Sequence, residues 1–298
     1  MIEHSGSRTS RLLHVAPPEA LFLVSAAAQY AGAVIAIGLF DEVNPATVAW
    51  IRVCAAALIL VAVSSRGRHA RWTVRDAAWA AIFGTFTAVM NLSFYLAIDR
   101  LPLGKGVTIE FIGPIAVAAI ATRSARNTLA LVAASVGVVI LGGVELAREP
   151  LGLLYIALAS VMWAGYIVAG SRVALGDRGV AGLGWGLLAG GLIITPFSLG
   201  DANVAAGSPR ILALCALVGL LSNAIGYGID QTTLRRIPVR RFSVLLALLP
   251  VTAAIFGAVF LGQTPTLTDF SGMALVLAGV VIQEREEIVR PPRDSPTT

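Results

Sequence analysis

Long apolar runs dominate the chain, and the polar residues fall between those runs rather than alternating with them. A helix needs about 20 mainly apolar residues to cross roughly 30 Å of hydrocarbon, because every backbone N–H and C=O must be satisfied within the segment. Ten stretches reach or approach that length: residues 20–40, 45–64, 76–98, 103–122, 127–144, 151–173, 180–199, 210–230, 239–261 and 267–282. The pattern predicts an all-α integral membrane protein. Short tails, 1–19 and 283–298, flank two blocks of five spans each, 20–144 and 151–282. The first span exceeds the 7 to 15 apolar residues of a cleaved signal core, so it is expected to be retained.

Composition agrees with a bilayer as the main solvent. The chain is 57% hydrophobic and 13% charged with a mean hydropathy of +0.82, against about 25% charged in a typical soluble domain. A net charge of +5 could suggest nucleic acid, but the basic residues cluster between apolar runs instead of along one polar face, so no nucleic-acid partner is implied. They read as topology signals. With the N-terminus inside, 17 of the 22 Lys and Arg residues lie in inner segments. Arg100, Lys105, Arg148 and Arg210 lie outside, and Arg52 is within a span. Both termini are therefore expected in the cytoplasm. Cys54 and Cys215 lie inside apolar runs and read as buried thiols, not as a disulfide or metal pair.

The two blocks resemble each other. An offset of 136 carries Arg100-Leu101-Pro102 onto Arg236-Ile237-Pro238, Pro114 onto Pro250, Ser135 onto Ser271, Gly143 onto Gly279 and Tyr30 onto Tyr166. A repeat with an odd number of spans enters the membrane from opposite faces in its two copies, which predicts inverted five-helix repeats and alternating access around a central site. Asn91 and Tyr95 match Asn223 and Tyr227 at an offset of 132 instead, so the eighth helix is expected to run about one turn further.

An ionisable side chain at the centre of a span costs about 2.5 to 3.5 kcal/mol on insertion scales, so each one asks for a reason. Glu110 lies eight residues into the fourth span near Pro114, where a loosened helix releases carbonyls. It is a candidate to bind a substrate ammonium or carry a proton, or to pair structurally with Arg52 or Lys105. Arg52 is a candidate to meet a substrate carboxylate, to meet Glu110, or to tie helices together. Asp230 shares a helical face with Asn223 and Tyr227, and is a candidate binding or coupling group or a helix-end carboxylate beside Arg235 and Arg236. Asn91 with Tyr95, and Trp163 with Tyr166, can line a solute cavity or glue helices. Gly137, Gly142, Gly143, Gly272 and Gly279 read as packing seams.

Enzyme chemistry finds little support. His4, His14 and His69 sit in the tail and a loop, and no metal-ligand spacing, phosphate-cradling loop or other cofactor motif is present. No ring of charge or filter loop of a passive channel is visible either.

The segment from Met90, MNLSFYLAIDRLPLGKGVTIEFIGPIAVAA, and the one from Ile225, IGYGIDQTTLRRIPVRRFSVLLALLPVTAAIFGAVFLGQ, resemble the threonine and homoserine exporters of the EamA group in the drug/metabolite transporter superfamily. The resemblance spans nearly all of residues 20–282 and is most specific around Pro102, Leu103, Gly104, Glu110, Phe111, Gly113 and Pro114. It implies a ten-helix inner-membrane exporter of two repeats, with proton antiport within the family's range. It supports Glu110 with Pro114 in the first repeat and Tyr227 with Asp230 in the second. Leu249 and Gln263 stand where family members commonly carry Glu, and Lys105 where an apolar residue is usual.

The expected function is export of a small amino acid such as threonine or homoserine. Its cavity is expected to be lined by Asn91, Tyr95, Glu110, Pro114, Trp163, Tyr166, Asn223, Tyr227 and Asp230. Efflux of another metabolite or an apolar compound is the alternative.

Overall fold

A computed structural model describes residues 17–64, 72–121, 124–174, 179–226, 229 and 248–282. Its helices are α1 (Pro18–Ile37), α2 (Pro45–Ser64), α3 (Val74–Ile98), α4 (Leu103–Glu110), α5 (Ile112–Ala121), α6 (Ala125–Arg148), α7 (Pro150–Ala174), α8 (Gly179–Ser198), α9 (Ala202–Gly207), α10 (Pro209–Val218), α11 (Leu248–Leu261) and α12 (Leu267–Ile282). A π-helical stretch, Gly219–Gly226, continues α10.

Six of these helices are long and apolar enough to cross a membrane: α1, α2, α3, α7, α8, and α10 with its π continuation. Shorter apolar helices are formed by α11, α12 and the Ala125–Leu141 part of α6. Large apolar side chains such as Leu58, Val139, Leu192 and Phe197 lie exposed on the outside of the bundle, as lipid-facing surfaces require.

The fourth predicted span is not one helix. Proline at position 114 has no N–H to give the carbonyl of Glu110, and its ring crowds that same carbonyl. The chain accordingly ends α4 at Glu110, turns at Phe111 and restarts as α5. The eighth span departs differently. Its π-helical stretch carries Asn223, the residue at which the repeat offset slips from 136 to 132; single-turn π insertions in helices often mark functional sites.

Helix α3 packs most extensively on α7 and α8, α6 on α12, α2 on α8, the π stretch on α1 and α2, and α4 on α11. Two of these contacts are backbone-to-backbone. A Cβ on Gly84 of α3 would lie 1.7 Å from the carbonyl oxygen of Gly186 of α8. In the α6–α12 seam, a Cβ on Gly137 would lie 2.6 Å from the Gly272 carbonyl oxygen, and one on Gly279 2.7 Å from that of Ala130. Without a hydrophobic driving force between helices in lipid, such close approach is a main source of attraction. Gly137, Gly272 and Gly279 therefore sit in a seam, while the side-chain positions of Gly142 and Gly143 lie outside the described ones.

One end of the bundle is fastened by polar contacts. The Thr47 hydroxyl donates to the Ser198 carbonyl at 2.7 Å, the Asn44 N–H to Asp201 at 2.7 Å, and Arg210 to both carboxylate oxygens of Glu42 at 3.0 and 2.9 Å. Arg100 and Glu149 approach to 3.7 Å at the same end. At the opposite end Arg126 donates to the Ile282 carbonyl at 2.5 Å.

Gly84→Val should cost about 3 kcal/mol or more by forcing α3 from α8. A thermal melt in detergent checks this, with Gly200→Ala, which has open space around it, leaving the melting temperature unchanged.

Candidate functional site

Arg52, Asn91 and Glu110 each lie seven residues from the end of their helix nearest the fastened layer, counting from Pro45, Ile98 and Leu103. At 1.5 Å per residue that puts all three backbones about 10 Å below the layer, a third of the way through the apolar core. Helices α2, α3 and α4 thus present a cation, an amide and a carboxyl at one depth.

Arg52 is 4% exposed. Its guanidinium donates to the Asn91 side-chain oxygen and lies over the Tyr95 ring, 4.3 Å from the centroid. The Asn91 amide in turn donates to the Thr87 carbonyl at 2.7 Å, which fixes the direction of its oxygen. Tyr95 is completely buried and receives the edge of Phe40 at 5.7 Å between centroids. Arg52 therefore ties α2 to α3, and the i, i+4 spacing of Asn91 and Tyr95 lets one guanidinium touch both.

Glu110 is buried, and neither cation expected as its structural partner closes on it. No ion pair joins it to Arg52 among the described residues, although the two charges attract. Lys105 pairs with Asp269 of α12 instead, at 2.9 Å. Among the described residues, four buried polar side-chain atoms lack a hydrogen-bond partner: Arg52 Nε and the Tyr95 hydroxyl in this cluster, and both amide atoms of Asn223, deeper in the bundle on the π stretch. Such atoms cost about 1 to 3 kcal/mol each when left so. The π stretch holding Asn223 meets α2 at Arg52 itself, where a Cβ on Gly219 would lie 2.4 Å from the Arg52 carbonyl oxygen.

Of the aromatic candidates, Trp163 flanks the helix break and Tyr166 packs on α3. Trp163 of α7 meets Phe111 edge-on at 4.9 Å, directly after Glu110, and Tyr166 stacks tilted on Phe83 at 4.8 Å. Pro114 acts through the backbone, by ending α4. Tyr227 and Asp230 lie outside the described residues, so the second-repeat part of the expected cavity is represented by Trp163, Tyr166 and Asn223.

Sequence reasoning missed the role of Gln263. The N-terminus of α4 has Pro102 before it and no side-chain cap of its own; the Leu103 N–H donates at 2.9 Å to the Gln263 side-chain oxygen. A residue 160 positions away thus caps the helix that carries Glu110, a task for which the side chain needs only an acceptor oxygen. Also missed was a polar strip on α1, where the Ser25 hydroxyl donates to the Gly226 carbonyl and Ser222 to the Gln29 carbonyl. The i, i+4 pair Ser25 and Gln29 was its available signal. Among the described residues no group of three His, Cys, Asp or Glu side chains could hold a metal ion. Cys54 and Cys215 are free thiols.

A bundle of apolar helices with a sparse, buried, partly unpartnered polar cluster is the build of a membrane transport protein. The chain belongs to the EamA-like transporter family, whose sequence profile matches residues 17–147 and again 150–283. It is 31% identical over 264 residues to the threonine/homoserine exporter RhtA of Escherichia coli strain K12, covering 88% of this chain and 89% of that one. It is likewise 31% identical over 273 residues to RhtA of Salmonella typhimurium strain SL1344, covering 91% and 92%. A probable terminal-alkyne amino-acid exporter of Streptantibioticus cattleyicolor is 30% identical over 131 residues, 43% of this chain and 42% of that one. A solved crystal structure at 16% identity superposes with a TM-score of 0.58 over 93% of this chain and 96% of the other, a likeness of fold.

Gln263→Leu removes the acceptor that caps α4 and should destabilise the protein by about 1 kcal/mol, whereas Gln263→Glu should hold or raise stability by adding charge at a helix N-terminus. Paired thermal melts of the two variants read the difference.

Proposed function

We propose that this chain is a secondary transporter that exports a small amino acid of the threonine or homoserine kind from the cytoplasm by alternating access. Its working form has ten transmembrane helices in two inverted repeats, residues 20–144 and 151–282, with both termini cytoplasmic and the fastened layer facing outward.

The packing pattern supports the repeat. Exchanging the halves turns the α3–α7 contact into that between the π stretch and α1, and the α3–α8 contact into that between the π stretch and α2. It maps α2–α8 and α6–α12 onto themselves, and it maps the fourth predicted span, 103–122, onto the ninth, 239–261, whose described parts meet in the α4–α11 contact. These are the most extensive contacts in the bundle, and a bundle without such symmetry has no reason to choose them together.

The observation that carries the substrate class is a buried guanidinium with no carboxylate paired to it among the described residues. Arg52 is held by an amide and an aromatic ring, and its Nε and the adjoining Tyr95 hydroxyl remain open for an acceptor. A carboxylate meets both requirements. Glu110, at the same depth one helix away, supplies the complementary acceptor for an ammonium. An α-amino acid carries that pair of charges on two groups bonded to one carbon, and exporters to which the chain is 31% identical over 88 to 91% of its length are named for threonine and homoserine. Proton coupling is assigned to Glu110, since a carboxyl without a fixed cationic partner can take up a proton as the solute ammonium departs.

Glu110→Gln should abolish export while leaving the amount of protein in the membrane unchanged; wild-type export by this variant would remove Glu110 from the mechanism. Arg52→Gln should weaken amino-acid affinity by about 10- to 100-fold, the value of one charge-assisted contact. Counterflow of labelled amino acids in proteoliposomes, with and without a pH gradient, measures both. A resistance panel of excess amino acids against apolar dyes tests the substrate class: protection from dyes alone would replace the amino-acid reading with drug efflux.

A further inference from the structure

At the fastened end a cavity of about 120 Å³ is lined by Pro102, Gly104, Lys105, Ala254, Gln263 and Asp269, among others. Lys105 is 6% and Asp269 9% exposed. We infer that the Lys105–Asp269 ion pair is the outer gate of the transporter: it holds the first-repeat helix α4 to the second-repeat helix α12 and must separate for solute to leave. This rests on the proposed transport function and orientation.

Three observations carry it. First, the pair is built to hold one geometry. One carboxylate oxygen of Asp269 takes the ammonium at 2.9 Å, while the other accepts the Thr266 N–H at 3.0 Å and the Thr266 hydroxyl accepts the Asp269 N–H at 3.2 Å. This reciprocal cap fixes the carboxylate on the first turn of α12. Second, what it fastens is the N-terminal turn of the helix carrying Glu110, the same turn that Gln263 caps from across the repeat boundary. Prising α4 from the 262–269 connection would thus open a path from the cavity down α4 toward Glu110, seven residues below. Third, the device is one-sided. The second-repeat position matching Lys105 is Arg241, but α6, the counterpart of α12, carries no carboxylate in its first turns, and Ala133 matches Asp269.

A buried pair is a suitable latch because removing one partner strands a charge, whereas removing both leaves an apolar contact of similar size. The single variants and the double variant therefore behave differently if the pair is the gate, and the latch biases the resting protein toward an outward-closed state.

The test places a cysteine at Ala254, on the cavity wall, and follows its alkylation by a membrane-impermeant maleimide added to intact cells, with the parent thiols as background. Neutralising both partners, Lys105→Met with Asp269→Leu, should raise the labelling rate at least 5-fold, and the swap Lys105→Asp with Asp269→Lys should return it toward the parent rate. Equal labelling in all three, in cells where the parent exports amino acid, would overturn the gate and leave the transport function standing. Raised labelling in the neutral pair with no amino-acid export by the parent would keep the gate and overturn the substrate assignment. Should the neutral pair not accumulate, Asp269→Asn alone is labelled instead, and a rate equal to the parent's overturns the gate.

Discussion

The structure turns on one expense, a positive charge held inside an apolar bundle. An arginine in hydrocarbon is tolerated only if its donors find acceptors and its charge finds counter-charge or polarisable electrons. Arg52 finds an amide oxygen, an aromatic face and, at longer range, the Glu110 carboxyl. Each provider has its own support: Thr87 orients Asn91, Phe40 packs against the Tyr95 ring, and the Pro114 break ends the helix at Glu110. Had Glu110 closed on Arg52 directly, the pair would have been electrically quiet and of little use to a zwitterion. Kept apart, each retains capacity for a charge of the opposite sign.

Much of this was legible in the chain because hydrocarbon imposes so few solutions. A backbone without water must be helical, and the 20-residue ruler placed α2 and α12 at their observed bounds and α7 and α8 within a residue. Buried charges are rare enough that Arg52 and Glu110 stood out at once, and the spacing of Asn91 and Tyr95 already put them on one face. What stayed hidden was tertiary. No local pattern says that Gln263 caps a helix 160 residues earlier, or that Lys105 takes Asp269 rather than Glu110. Both depend on which helix ends meet, and that follows from the repeat packing and not from either segment. The break at Phe111 was half visible, since Pro114 announced a loosened helix but not that it would divide in two. Tyr227 and Asp230 lie outside the described residues, so these two second-repeat positions of the expected site belong to the proposal alone.

The two halves share a pattern of contacts but not of charge. Helix α8, the counterpart of α2, contains no ionisable residue, and the stretch around Pro250 has none from Ser243 to Leu261. A symmetric scaffold supplies two interconvertible packings of similar energy, which is the condition for a small bias to decide between them. Identical charges in both halves would cancel as bias. On the proposed reading, Arg52 and Glu110 put their charges in the first repeat, while the second contributes among the described residues the π-helical stretch with the unpartnered amide of Asn223.

That division also constrains selectivity. On the proposed reading, a site built from one cation, one carboxyl and an amide recognises the backbone charges shared by every amino acid, so discrimination among side chains falls to the apolar and aromatic surfaces near them, Phe111 and Trp163 among the described residues. Differences of a methylene against such walls are worth about 1 to 3 kcal/mol, whereas a solute that lacks the carboxylate leaves a buried guanidinium open and loses more. The geometry therefore separates zwitterions from apolar compounds sharply and one small zwitterion from another only gently. An exporter can accept that trade: its task is to lower an internal excess, and a site that admits close relatives of its solute still performs it.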